Sequence, residues 1–85
     1  MLKASIVITA YNSASFIAKS VESALRQNFP RNLFEVVVVD DGSTDNTLQV
    51  LEAFGGDIRI FKSPHRGFVA AVNQGFREAR GEYVT

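Results

Sequence analysis

Two adjacent carboxylates, Asp40 and Asp41, follow four consecutive valines, Val36 to Val39, and precede Gly42, Ser43 and Thr44. Upstream, a second run of β-branched residues ends in Thr9, Ala10, Tyr11 and Asn12. A carboxylate accepts hydrogen bonds from N–H donors such as a pyrimidine imide, or from ribose hydroxyls, and a tyrosine ring offers a stacking face. If the two runs are neighbouring strands, these groups share one mouth, and the set suits a nucleoside better than a bare phosphate. A turn or cap role explains Asp40 and Asp41 without any ligand, because Asp is favoured where a strand gives way to a helix. Tyr11 alone packs as readily as it stacks. On the residues alone both readings stay open.

The remaining polar residues divide in the same way. Asp45 and Asn46 fall in a first helical turn, where acidic groups complement the helix dipole. Asn73 shares a stripe with Val69, Val72 and Phe76, so it is expected to point inward, where an amide must find partners. Bracing a neighbouring loop backbone is the expected role, and reaching the ligand crevice is the alternative. His65, the only histidine, sits in a polar loop beside Pro64 and Arg66 and reads as a surface residue. No Ser–His–Asp arrangement accompanies it. Arg66 precedes Gly67 at a helix start and could meet a phosphate.

The elements that must position these groups alternate along the chain. "SIVIT" (Ser5 to Thr9) reads as a strand. A helix follows from Ser15, with Ile17, Val21, Ala24 and Leu25 on one face, capped by Ser13 or Asn12 and stopped by "NFPRN" around Pro30. "FEVVVV" (Phe34 to Val39) does not alternate with polar residues, so both its faces should be covered, as in a parallel sheet flanked by helices. Ser43 or Thr44 is expected to cap a second helix carrying Leu48, Leu51 and Phe54, which "FGGD" ends with glycines suited to a left-handed cap. "IRIF" (Ile58 to Phe61) is the third strand, "KSPHRG" a loop, Phe68 to Ala79 a third helix, and "EYVT" a fourth strand. The βαβαβαβ order predicts right-handed crossovers and a Rossmann-like α/β fold, with a three-layer α/β/α parallel sheet of order 3-2-1-4. Ligands of such sheets bind beyond the carboxyl ends of the strands.

Composition sets the outer bounds. Eighty-five residues make one small domain, residues 1–85, burying about 60–65% of the surface of the unfolded chain. Nine Lys and Arg balance nine Asp and Glu, which removes any global drive towards nucleic acid or anionic membrane. No cysteine is present, so disulfides and thiolate metal sites are excluded. The longest apolar run is far short of the ~20 residues of a membrane span, and "MLKASIVITAYN" turns polar too early for a signal peptide. A cytoplasmic location is the default. "EYVT" stops inside a strand, which suggests a piece of a longer protein, and its exposed edge invites pairing between copies.

Three motif matches fail on context. Asp41, Ser43, Asp45, Thr47, Gln49 and Glu52 fall on the ligand spacing of a calcium loop, but a strand precedes them and Asn46 replaces the glycine at the sharp turn. A dinucleotide fold needs G-x-G-x-x-G after its first strand, where this chain has "AYNSAS". A phosphoacceptor receiver domain places its acidic residues after strands one and three, whereas the pair here follows strand two.

Taken together, "SIVITAYN", "SVESALRQNF", "EVVVVDDGSTDNT" and "RGFVAAVNQGFREARGEYVT" resemble the start of a family 2 glycosyltransferase with the GT-A fold. The resemblance implies transfer of a sugar from a nucleotide donor, a UDP- or GDP-sugar, to a glycan, lipid or other acceptor. It implies that Thr9 and Tyr11 line the nucleobase pocket, that Asp41 accepts from the base with Asp40 beside it, and that Asn73 is the recurrent helix asparagine. Arg66 stands where the family often has Asn. The family's Asp-x-Asp motif, which holds a divalent metal (Mg or Mn) on the diphosphate, and its acidic base both lie beyond "GEYV". Neither is in this sequence, so the 85 residues are expected to bind nucleotide weakly and to be inactive alone. The parent protein would work in the cytoplasm or at the inner face of the membrane. Two rivals remain: a non-catalytic α/β binding or interaction module, and a nucleotidyltransferase-like sugar activator, which would want a glycine- and basic-rich phosphate loop after strand one.

Overall fold

The valine run forms the middle of the sheet. In the computed structural model, which describes residues 2–28 and 30–85, β2 (Phe34–Asp41) lies between β1 (Ala4–Ala10) and β3 (Arg59–Ser63), with β4 (Tyr83–Val84) on the far side of β1. Every pairing is parallel and the order is β3-β2-β1-β4, the order that the sequence predicts. Phe29, part of the expected "NFPRN" stop, lies outside the described residues.

Side chains alternate between the two faces of each strand. On one face, Ile6, Ile8, Val36, Val38 and Ile58 form an apolar cluster with Ile17, Val21 and Ala24 of α1 (Ile17–Leu25) and Leu51 of α2 (Thr47–Glu52). On the other face, Val7 and Val39 meet α3 (Phe68–Glu78), where a Cβ on Gly75 would lie 2.3 Å from Val7 Cγ1 and 3.5 Å from Val39 Cγ2. Helices therefore cover both faces, and Val36 to Val39 are all buried, as expected for a strand without polar alternation.

The orientation of α3 departs from expectation. Val69 and Phe76, predicted to face inward, are 70% and 49% exposed, while the buried residues of the helix are Ala71 and Gly75. The helix approaches the sheet through its smallest residues because only they admit so close a contact. Counting apolar bulk selects the opposite stripe. Asn73 turns outward with that stripe, is exposed, and has no hydrogen-bond partner among the described residues.

Helix starts also differ. Neither α1 nor α2 has a side-chain hydrogen bond at its N-cap residue, Phe16 or Asn46. The Ser13 carbonyl instead accepts from the Phe16 and Ile17 amides at 3.0 and 2.8 Å, and Asp45 Oδ1 accepts from the Thr47 amide at 2.9 Å. The Asn12, Ser43 and Thr44 side chains expected at these caps are engaged between loops, as described below, and the Ser13 hydroxyl bonds the Tyr11 backbone within its own loop. At the second helix end, Gly55 does adopt a left-handed φ of 60°.

The opposite end of the sheet is held by Glu35. Its Oε2 accepts from Ser5 Oγ at 2.6 Å and the Arg80 amide at 2.7 Å, and its Oε1 from Arg59 Nη1 at 2.7 Å. Arg59 also donates to the Glu78 carbonyl at 3.0 Å. Burial works to raise the Glu35 pKa, but these donors outweigh it and hold the carboxyl below its ordinary value. Replacing Glu35 by Ala strips three donors of their acceptor and should destabilise the chain by about 3 kcal/mol in urea unfolding. Among the described residues no helix is long and apolar enough to cross a membrane.

Candidate functional site

The register between β1 and β2 pairs Ala10 with Asp40, so the segments that follow, Tyr11 to Ala14 and Gly42 to Thr47, leave the sheet side by side at its carboxyl edge. Open α/β sheets bind ligands there. Side chains of each segment satisfy the backbone of the other. The Asn12 amide donates to Ser43 Oγ at 2.9 Å, and Asn12 Oδ1 accepts from the Thr44 amide at 2.7 Å and the Asp45 amide at 3.3 Å. The Ser13 amide donates to Thr47 Oγ1 at 2.8 Å, and the Ala14 amide to Asp45 Oδ2 at 3.4 Å. Asn12 reaches these partners with a φ of 49°, a left-handed conformation that Asn tolerates better than most residues. Asp45 is therefore structural, and its bonds to Thr47 hold its pKa below the ordinary carboxylate value.

Asp40 and Asp41, although adjacent, serve different loops. Successive strand residues point to opposite faces. Asp40 Oδ1 accepts from Ser43, at 2.5 Å from its hydroxyl and 3.3 Å from its amide, which fixes the Asp-Gly-Ser turn. Asp41 faces the segment before α3. Its Oδ1 accepts from the Arg66 amide at 2.9 Å and its Oδ2 from the Gly67 amide at 3.0 Å, with His65 Nδ1 also 3.0 Å from Oδ2. Burial pushes the Asp41 pKa up, but the two amides and the imidazole outweigh it and leave the carboxyl below its usual value. Gly42 permits this close junction. Its φ is +74°, and a Cβ there would sit 2.5 Å from the His65 backbone nitrogen.

His65 then reaches Tyr11. The two rings stack with centroids 4.1 Å apart and an interplanar angle of 21°. Tyr11 and Asp41, the pair expected to share the mouth, are thus joined through one imidazole. Thr9 pairs with Val39 on the same face of the sheet as Asp41 and is half-buried. Asp40 is on the other face, and Asn73 is on the outer side of α3 with no hydrogen bond to any of these residues. His65 is exposed, as its sequence context indicates, but that reading gave no sign of its contacts in the mouth. A lone histidine in a polar loop carries no local signal of a contact made 54 positions away (65 − 11).

Two hollows lie away from the mouth. One of about 350 Å³, lined by Ala18, Val50, Ala53 and Phe54, opens between α1 and α2. Another of about 270 Å³ surrounds Glu35 and Arg59 at the opposite sheet edge. The mouth itself presents an aromatic face, a buried carboxylate and the amides that hold it. It can stack a flat ring and receive an N–H. It has no nucleophile paired with a base, and among the described residues no cluster of three or more His, Cys, Asp or Glu could hold a metal ion. Asp40 Oδ1 and both oxygens of Asp41 and Asp45 are directed at protein donors, so these carboxylates do not form a divalent-metal site.

Comparison with known proteins gives the family and agrees with the fold. The chain is 36% identical over 88 residues to the poly(ribitol-phosphate) beta-N-acetylglucosaminyltransferase TarS of Staphylococcus aureus, a match covering 99% of this chain and 15% of that protein. It is 41% identical over 83 residues to a hyaluronan synthase of Pasteurella multocida, covering 94% of this chain and 8% of that one. A crystal structure of TarS residues 1–349 in complex with UDP-GlcNAc superposes with a TM-score of 0.84 at 37% identity, covering 98% of this chain and 25% of that one. The mannosyltransferase PcManGT from Pyrobaculum calidifontis, in complex with GDP-Man and Mn2+, superposes with a TM-score of 0.83 at 31% identity over 96% of this chain and 26% of that one. This chain spans about a quarter of those two solved structures and a smaller share of the two full-length relatives. Residues 5–85 match the description "Glycosyl transferase family 2", and with that match, these relatives and the parallel sheet order, the chain belongs to glycosyltransferase family 2.

Proposed function

We propose that residues 1–85 are the N-terminal part of a GT-A domain, and that their mouth holds the nucleoside of a UDP- or GDP-sugar whose sugar the parent enzyme passes to a glycan, lipid or other acceptor. The observation that carries this reading is the convergence of Tyr11 and Asp41 on one rim through His65. Tyr11 supplies the stacking face, Asp41 the acceptor for a base N–H, and Thr9 the adjoining wall. Asp40 positions the turn that follows β2. The divalent metal and the catalytic base belong to parts of the parent protein outside these residues, so the chain binds nucleotide weakly and transfers no sugar by itself. A cytoplasmic setting, or one at the inner face of the membrane, is part of the same proposal, supported by the cysteine-free sequence.

A titration of isotope-labelled chain with UDP tests this. Signals of Thr9, Tyr11 and Asp41 should shift together, and Tyr11→Ala should weaken binding about tenfold, the loss expected for one aromatic stacking partner. Shifts confined to other residues count against the site. The second reading, a non-catalytic α/β interaction module, is favoured by one observation: both Asp41 oxygens already accept from protein donors. UDP that shifts nothing at the mouth would decide for it.

A further inference from the structure

We propose that His65 occupies the seat of the nucleobase, and that a nucleotide enters the mouth by displacing this imidazole from between Tyr11 and Asp41. The inference rests on the nucleotide reading above and adds how the site is entered. A base held there would lie flat on Tyr11 and donate an N–H to Asp41. The imidazole has the same two contacts: it stacks on the Tyr11 ring at 4.1 Å, and its Nδ1 lies 3.0 Å from Asp41 Oδ2 and 3.2 Å from the Asp41 carbonyl oxygen. Asp41 has little room for both occupants. Its side chain is 5% exposed, and the Arg66 and Gly67 amides hold its two oxygens. Of its three partners only the imidazole can leave without unwinding the start of α3.

The imidazole is also free to go. The backbone of His65 is pinned against Gly42, but its side chain is 54% exposed. Rotation about its side-chain torsions therefore uncovers Tyr11 and one face of Asp41 with no backbone movement.

The test measures UDP binding to the 85-residue chain and to His65→Ala at pH 7, alongside the proton signals of the His65 ring. In the free chain the ring protons should be shifted upfield by Tyr11, and UDP should abolish that shift. His65→Ala should bind UDP about fivefold more tightly at pH 7, the factor by which an occupied seat reduces apparent affinity. An unchanged His65 ring shift at saturating UDP overturns the displacement, as does binding by His65→Ala that is weaker than or equal to that of the unaltered chain. Those outcomes leave the nucleotide reading standing. UDP that moves neither Tyr11 nor Asp41 signals in either protein overturns both.

Discussion

Asp41→Ala is expected to cost about 4 kcal/mol, the largest effect of any single substitution at the mouth, because it removes a charged acceptor from two backbone amides and an imidazole at once. A chain of this length has roughly 4–13 kcal/mol of total stability, so the variant should lose about a third of it or more. Asp41→Asn keeps the shape and one acceptor oxygen and should lose about half as much. Urea unfolding monitored by far-ultraviolet circular dichroism measures both, and a loss below about 1 kcal/mol for Asp41→Ala would mean that the carboxylate does not hold the start of α3. The same carboxyl gives a pH signature. Its folded-state pKa lies below the ordinary value, so its contribution is fully present above about pH 4 and is lost as pH falls through the lower folded value. Glu35 shifts in the same direction. Acid unfolding of the unaltered chain should therefore be steep below pH 4, and Asp41→Asn should flatten it.

Gly81→Ala should be nearly as damaging, through a different cause. A Cβ at this position would lie 2.4 Å from the Ala4 carbonyl carbon and 2.7 Å from the Ser5 nitrogen. Both are backbone atoms of β1, which cannot step aside as a flexible side chain can. The Gly81 amide also donates to the buried Ser5 Oγ at 2.8 Å, and the Ser5 hydroxyl in turn donates a hydrogen bond to Glu35 Oε2. The added methyl must therefore push β4 away from β1 or distort the central pair, at a cost of about 3 kcal/mol. Amide exchange locates the damage. The Tyr83 and Thr85 amides, which donate to the Lys3 and Ser5 carbonyls, should lose protection first, while Val36 to Val39 keep theirs until global unfolding. A urea midpoint equal to that of the unaltered chain would show that the turn before β4 absorbs the methyl.

What could be read from the residues is uneven, and the unevenness has physical causes. Strand content and order were legible because β-branched runs separated by helical patterns admit few arrangements, and right-handed crossovers remove most of those. Strand ends were less so: β2 runs on through Asp40 and Asp41, because both carboxylates find donors and the ladder need not stop before them. Tyr11 and Asp41 were legible as a pair at the mouth. The separation of Asp40 from Asp41 follows from strand alternation once the strand is known to include them. The α3 stripe misled because packing distance, set by Gly75 against Val7, outweighed apolar bulk. His65 was illegible because its partners come from two other segments, and nothing in "KSPHRG" announces them.

The sheet also dictates an order of assembly. Ala4 pairs with Phe34 and with Tyr83, contacts separated along the chain by 30 and 79 positions. Closing the longer loop costs more chain entropy and returns only a two-residue ladder. The β1–β2 pair, with seven registered positions, is therefore the natural nucleus, and the final strand joins a scaffold already formed. In a fold with no local strand pairing, collapse must precede most of the hydrogen bonding between strands, which places this chain among the slower folders for its size.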